Sequence, residues 1–367
     1  MTSLRLTSLR LLADDLTGAL DTTAEFVGLL GPLGVHWSAA SISTDADSFA
    51  IDSGTREAGA DAAFSIVRAL APRLGGATVA FKKIDSLLRG PWVAEVEACL
   101  ETGLWDACLV APAFPHQGRL TRAGQHYART ADGSWQPVGI NMLEQFRAGG
   151  LDARIADPDR PLAGGISILD AAQDADLDRT VRLGRAAGRS ILWCGSGGLA
   201  GALAGRTEVG VPAALKRPVL GVFGSDHPAT AAQLAVCAGI LVQATTIEAE
   251  RAGIRQRLDG GVALVHLQPL GAVSRAAAAA HVATEIAQLV RALEAPGTLL
   301  VAGGETLKAL CLATAARGLQ VTGRLEPGIP RSVLQGGVWD GVEVISKSGA
   351  FGPPDLWLRL LQHNDLM

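Results

Sequence analysis

Short apolar runs rich in leucine and β-branched residues recur along this chain, each followed by a loop containing Gly, Asp or Ser and then by a helix-like pattern. Alternating strand and helix signals of this kind are the signature of a parallel α/β fold, because a parallel neighbour is reached through a crossover connection. The clearest instances in the first two thirds are Leu9–Ala13 before DDLTG, Thr78–Phe81 before KKIDSLLRG, Cys108–Ala111 before PAFPHQGR and Ser190–Cys194 before GSGGLAGAL. Val219–Phe223, Thr298–Ala302 and Val342–Ser346 form a second cluster, leading into GSDHPATAAQL, GGETLKAL and KSGAFGPPDL. In open parallel sheets ligands gather beyond the carboxyl ends of the strands, so the polar motifs in these loops sit where chemistry is expected.

A chain of 367 residues exceeds what one core usually organises. Arg206–Pro218 carries Gly210, Pro212 and Pro218 with little periodicity, which sets the expected boundary near Pro212 and the expected domains at 1–212 and 213–367. In the second domain Val282, Ile286, Leu289, Val290 and Leu293 are spaced as one apolar helix stripe, and in the first Asp157–Gly165 reads as a surface loop. The 32 basic and 36 acidic residues form no block of like charge, which leaves no electrostatic footprint for nucleic acid or anionic lipid. A single Tyr and an aromatic content of 4% offer no platform for stacking bases. Cys99, Cys108, Cys194, Cys237 and Cys311 contain no CxxC pair, which fits reduced, buried thiols better than disulfides or a zinc site. Arg5 and Arg10 interrupt the apolar residues at the start, and the longest uncharged run, Ser190–Gly205, is too short and glycine-rich to span a bilayer. The expectation is a soluble cytoplasmic protein with neither nucleic acid nor membrane as partner.

The loops of the first half concentrate charge. ADDLTGA places Asp14 and Asp15 at a strand end, where paired carboxylates can hold Mg²⁺, accept hydrogen bonds from hydroxyls or act as a base; an Asp there can equally do no more than cap the helix. The phosphatase pattern DxDxT fails, because Ala13 stands at its nucleophile position. KKIDSLLRG brings together Lys82, Lys83, Asp85, Ser86 and Arg89, cations able to neutralise a carboxylate or a transferring phosphoryl group beside a candidate base. DSGTRE offers Arg56 as a bidentate carboxylate clamp, and APAFPHQGR carries His116 and Arg119 as polar heads on a proline-stiffened loop.

The loops of the second half are rich in Gly, Ser and Thr instead. GSDH, GGET and KSGAFG each follow a strand and are read as preceding a helix, where backbone N–H groups can approach phosphates. Glycine also serves tight turns, but three such loops in one domain favour a nucleotide site. No GxxxxGK sequence followed by Ser or Thr occurs, so this is not a P-loop protein.

Taken in order, ADDLTGALD, DSGTRE, KKIDSLLRG, APAFPHQGR, GSGGLAGAL, GSDHPATAAQ, GGET, EPGIP and KSGAFG resemble the four-carbon acid sugar kinase family over essentially the whole chain. The resemblance implies an α/β fold of two domains, each built on a largely parallel sheet flanked by helices. The first would hold the sugar acid and the second ATP with Mg²⁺, with the active site in the cleft between them. It implies substrate contacts at Asp14, Asp15, Arg56, Lys82, Lys83, Asp85, Ser86 and Arg89, of which Asp15, Asp85 and Lys82 would be catalytic. On this resemblance either Asp15 or Asp85 would take the hydroxyl proton. ATP contacts are implied at Gly224, Ser225, Gly303, Gly304, Glu305, Thr306, Lys347 and Gly349, and metal ligands stay unassigned. This chain departs from the family pattern at Leu87, at Asp226 and His227, and at Arg331 and Ser332 after EPGIP; it is also short for the family. The expected activity is phosphorylation of a tetronate, a 3-oxo-tetronate or a branched acid such as 3-oxo-isoapionate. A catalytically silent sensor on the same scaffold is the alternative, and a homodimer is an assembly open to such a chain.

Overall fold

The computed structural model describes residues 6–43, 45–130, 132–206, 213–268 and 274–367. The chain divides into two compact units, Met1–Glu208 and Val209–Met367. Pro212, where the sequence places the boundary, lies outside the described residues.

In the first unit, strands β1 (Leu9–Ala13), β2 (Leu33–His36), β3 (Phe49–Asp52), β4 (Val79–Lys83) and β5 (Ala107–Ala111) precede a small antiparallel sheet of β6 (Arg119–Arg122), β7 (Gln125–Arg129) and β8 (Trp135–Pro137). β9 (Ala153–Ile155), β10 (Gly165–Ile168) and β11 (Ile191–Gly195) complete the main sheet, ordered β2-β3-β1-β4-β11-β5-β10-β9 and parallel throughout. Helices α1 (Leu16–Ala24), α2 (Val27–Leu30), α3 (Ala60–Leu70), α4 (Trp92–Leu100), α5 (Met142–Ala148), α6 (Asp174–Ala186) and α7 (Gly197–Leu203) connect them. Every residue of β3, β4 and β5 is buried, as expected of strands covered on both faces. Trp92 meets Phe146 edge-on at 5.0 Å between ring centroids in a core that includes Leu12, Ile51, Val67, Val96 and Val110.

In the second unit, β12 (Val219–Phe223), β13 (Leu241–Ala244), β14 (Val262–Leu267), β15 (Thr298–Ala302) and β18 (Glu343–Lys347) are parallel, in the order β13-β14-β12-β15-β18. β17 (Ile329–Gln335) and β16 (Gly318–Glu326) extend the edge antiparallel. Its helices are α8 (Pro228–Ala235), α9 (Ile247–Asp259), α10 (Arg275–Ala292), α11 (Gly304–Ala313) and α12 (Leu356–Gln362). Phe223 and Trp357 pack at 5.8 Å between centroids in a core with Leu264, Leu300 and Ile345.

The α/β architecture expected from the sequence is the one observed, with local corrections. EPGIP is the turn of the β16–β17 hairpin, made by Pro327 and by Gly328 at φ +87°. KSGAFG does not lead directly into a helix, since α12 begins only at Leu356. The stripe Val282, Ile286, Leu289 and Val290 is buried on α10, but Leu293 lies one residue past its end and closes it through its backbone N–H to Leu289. The small sheet β6–β8 has no counterpart in the sequence reading, its strands being short and built largely from polar residues.

Candidate active site

In the first unit the chain crosses from one side of β1 to the other, running β1, β2, β3 and then β4, which makes the ends of β1 and β4 a topological switch point. The charged motifs meet there: Asp14 and Asp15 follow β1, Arg56 follows β3, and Lys82–Arg89 straddle the end of β4. Arg56 binds Asp14 through Nε and Nη2 at 2.8 and 2.7 Å, reaches Asp15 through Nη1 at 2.5 Å, and lies 3.7 Å from Asp85. Arg89 holds Asp85 in the same bidentate way at 2.6 and 2.9 Å. Asp15 caps α1, accepting from the Gly18 amide at 2.8 Å and the Thr17 hydroxyl at 2.7 Å, and the same carboxylate also pairs with Arg56.

Burial and charge act against each other on these carboxylates. Burial raises the pKa of Asp85, but hydrogen bonds from Arg89 and the charges of Arg56, Arg89 and Lys83 outweigh it and hold the carboxyl well below the usual range. Asp14 is likewise buried yet lowered, chiefly by Arg56 and Lys83. Asp21 on α1 behaves oppositely: burial dominates and pushes it up to about 6.

Lys82 and Lys83 are adjacent on β4 and therefore project to opposite faces of the sheet. Lys83 turns toward α1, where a Cβ on Gly18 would lie 2.8 Å from its Nζ, and its ammonium donates to the Ile84 carbonyl at 2.9 Å. Lys82 turns toward α4 and pairs with Glu95 at 2.9 Å, with both side chains essentially inaccessible. Lys82 thus belongs to the cluster but not to its accessible surface. Glu95 was not singled out from the sequence, although WVAEVEACL places it within the buried stripe of Trp92, Val96 and Cys99, where an acid requires a partner. The other Glu95 oxygen accepts from the Thr55 hydroxyl; Thr55 meets Ser53 at 2.7 Å, and Ser53 donates to the Ala13 carbonyl at 2.7 Å.

Ser86 is buried, and its carbonyl bonds Nε2 of His126 at 2.9 Å while Thr121 meets Nδ1 at 3.0 Å, tying β6 and β7 to the KKIDSLLRG loop. His116, by contrast, is exposed. Burial lowers His126 to about 4 from an ordinary 6.5. As pH falls, the unfolded chain takes up this proton before the folded one, so stability is lost progressively from pH 6.5 toward pH 4. The shift limits the loss to about 3 kcal/mol. Urea unfolding of wild type against His126→Gln over this window isolates the effect from Asp21, whose raised pKa acts with the opposite sign. Wild type is expected to lose stability relative to the variant as the pH is lowered.

In the second unit the switch point falls between β12 and β15, and the three glycine loops leave the adjacent strands β12, β15 and β18. They converge closely. A Cβ on Gly349 would stand 2.6 Å from Ser225 Oγ, and one on Gly224 would stand 2.8 Å from Thr306 Oγ1. The Gly303 amide donates to the Lys347 carbonyl at 3.0 Å. Lys347 is buried and donates to the Ser348 and Gly349 carbonyls at 3.1 Å each and to Thr230 Oγ1 at 3.3 Å; desolvation lowers its ammonium to about 7. His227 caps α8, its Nδ1 accepting from the Ala229 amide at 3.2 Å ahead of Pro228, which gives this departure from the family pattern a structural task. Gly304 and Glu305 open α11, which has no side-chain cap. Gly303 precedes them at φ +102°, with only ordinary contacts around the position of a Cβ. Gly303→Ala is therefore expected to cost about 1–3 kcal/mol through backbone strain, read by thermal melting.

The acidic loop does not fit a protein-held divalent ion. Asp14 and Asp15 both face Arg56, and no cluster of three or more His, Cys, Asp or Glu suited to a metal occurs among the described residues. All five cysteines are buried, and none of them forms a disulfide. No helix among the described residues is long and apolar enough to cross a membrane.

Two family models match this arrangement, a sugar-binding N-terminal domain over residues 9–145 and a nucleotide-binding C-terminal domain over residues 220–357. The chain belongs to the four-carbon acid sugar kinase family. It is 31% identical to a D-threonate kinase of Bordetella bronchiseptica, with 96% of each chain covered. It is 28% identical to a 3-oxo-tetronate kinase of Pseudomonas fluorescens, with 95% of each covered. A D-erythronate kinase of Heliobacterium modesticaldum is also 28% identical, with 94% of each covered. Crystal structures of proteins from Salmonella typhimurium and Haemophilus influenzae share the fold at TM-scores of 0.74 and 0.68, each with 18% identity; they cover 97% and 96% of this chain, and 99% of each of those chains is covered.

Proposed function

We propose that this sugar-acid kinase transfers the terminal phosphoryl group of ATP to a hydroxyl of a four-carbon acid, a tetronate or 3-oxo-tetronate, with a branched acid such as 3-oxo-isoapionate as a further candidate. The observation that carries this reading is the pairing of chemistries: an acid and cation cluster at one switch point, and three convergent glycine loops at the other. The first suits a polyhydroxylated anion and the second suits phosphates. The covered relatives carry the same activity class in their names.

Among the three clustered carboxylates, Asp15 is the most accessible, with 19% of its side chain exposed against 7% for Asp85 and 2% for Asp14. Asp85 is clamped bidentately by Arg89, so this reading gives the base to Asp15, the more accessible carboxylate, and an orienting role to Asp85. Lys83 supplies positive charge beside Asp15, and Ser86 and Arg89 complete the acid-binding loop. Ser225, Gly303, Gly304, Thr306 and Gly349 hold the nucleotide, with Lys347 bracing their turns. Mg²⁺ bound together with ATP would supply charge neutralisation at the phosphates, and no residue of this chain is assigned to it.

ADP release is measured with ATP, Mg²⁺ and a panel of four-carbon acids, with ribonate and simple polyols as controls. Acid-dependent ADP formation is expected. ADP formation independent of any acid, or calorimetric binding of both ligands without turnover, overturns the reading, the latter in favour of a sensor.

A further inference from the structure

Three arginines surround the acid loop of the first unit, and two use the same edge in the same way. Arg56 presents Nε and Nη2 to Asp14, and Arg89 presents Nε and Nη2 to Asp85. This side-on edge, two parallel N–H groups, is the one that matches a carboxylate bidentately. Arg119 is built differently. Its Nη1 is anchored to the carbonyls of Gln117 and Gly118 at 2.8 and 3.0 Å, which fixes the plane of the guanidinium. Its Nε is buried and makes no hydrogen bond, and among the described residues no ion pair joins Arg119 to a carboxylate. The edge that the other two arginines fill with carboxylates is left without one.

The position of Arg119 points the same way. It opens β6, two residues before Thr121, and so shares a strand face with the hydroxyl that meets His126; His126 in turn bonds the Ser86 carbonyl. Asp85 and Arg89 both act on its charge, although burial outweighs Asp85 and leaves the guanidinium less favourably charged than usual. The neighbouring cations are already matched within the chain: Arg56 by Asp14, Asp15 and Asp85, Arg89 by Asp85, and Lys82 by Glu95. A bound acid brings one more negative charge into this cluster, and its carboxylate needs a cation not already paired. Lys83 is a point charge buried beside Asp15, whereas Arg119 offers a preset fork.

We infer that Arg119 reads the carboxylate of the substrate, making it the residue that selects sugar acids over the corresponding polyols. The inference rests on the kinase reading above and adds a specificity-determining residue to it. Arg56, suggested by sequence as the carboxylate clamp, is paired with Asp14 and Asp15 and lies beside Asp85.

The test compares kcat/KM for a tetronate and for the polyol of the same length in wild type, Arg119→Gln and Arg119→Lys, with the KM for ATP and the thermal midpoint as controls. Arg119→Gln is expected to raise the KM for the acid at least about tenfold, the loss of a charge-assisted pair, and so to narrow the preference for acid over polyol, while the KM for ATP changes little. Arg119→Lys keeps charge and stem but loses the fork, and is expected to fall between; it carries the test alone if Arg119→Gln does not fold. Added methylguanidinium is expected to restore part of the acid activity of an Arg119→Ala variant. An unchanged preference for acid over polyol in a folded variant overturns the inference, as does an equal loss on both substrates. Failure of wild type to phosphorylate any acid overturns the kinase reading instead, so the two failures are distinguishable.

Discussion

Asp15→Asn is expected to lower kcat by about 10²–10⁴-fold, the range associated with losing a positioned general base, while the KM values for acid and ATP change little. Asparagine is the informative replacement because it caps a helix about as well as aspartate, so the Gly18 amide keeps its acceptor and α1 keeps its start. Asp15→Ala removes base and cap together and is expected to lose about 1 kcal/mol of stability in addition. Steady-state kinetics with matched melting curves separate these effects. If Asp85→Asn abolishes turnover in a folded protein while Asp15→Asn leaves it intact, the base assignment is reversed. Asp85→Asn in the assigned scheme acts mainly on acid binding, since it releases Arg89 and disturbs Arg56.

The buried pair Lys82–Glu95 is expected to give the largest stability effect in the first unit. Removing one partner leaves the other as an uncompensated buried charge, which typically costs about 3–5 kcal/mol. Burial opposes the Lys82 charge, but Glu95 and Asp14 raise its pKa, so the ammonium is retained. Glu95→Ala should therefore lower the urea midpoint sharply, whereas Lys82→Met combined with Glu95→Gln should be destabilised by less than the sum of the two single changes. Activity should follow the polar contacts that run from Glu95 through Thr55 and Ser53 to the Ala13 carbonyl, because they fix the turn that carries Arg56. Equal destabilisation by the double change and the sum of the singles would show that the two side chains are not coupled.

Much of the site was legible locally. A strand end followed by acids, cations or glycines places those groups at one edge of a parallel sheet whatever the partner strands are. Asp14, Asp15, Arg56, Asp85 and Arg89 could thus be named together from their motifs, as could Ser225, Gly303 and Gly349. Strand order was not legible, because burial on both faces makes β1, β4 and β5 alike in sequence. Nor was the small antiparallel sheet, whose residues Arg119, Thr121 and His126 acquire meaning only through their contacts with one another and with the Ser86 loop.

The sequence by itself determined the alternation of strand and helix, the separation of charged loops from glycine loops, and the residue types available at each strand end, since all three follow from local pattern. Tertiary structure decided which charges cancel. Arg56 became an organiser of Asp14, Asp15 and Asp85, Lys82 was buried against Glu95, and Arg119 was left with a buried Nε that makes no hydrogen bond, because ion pairing depends on distances of a few ångströms between residues tens of positions apart.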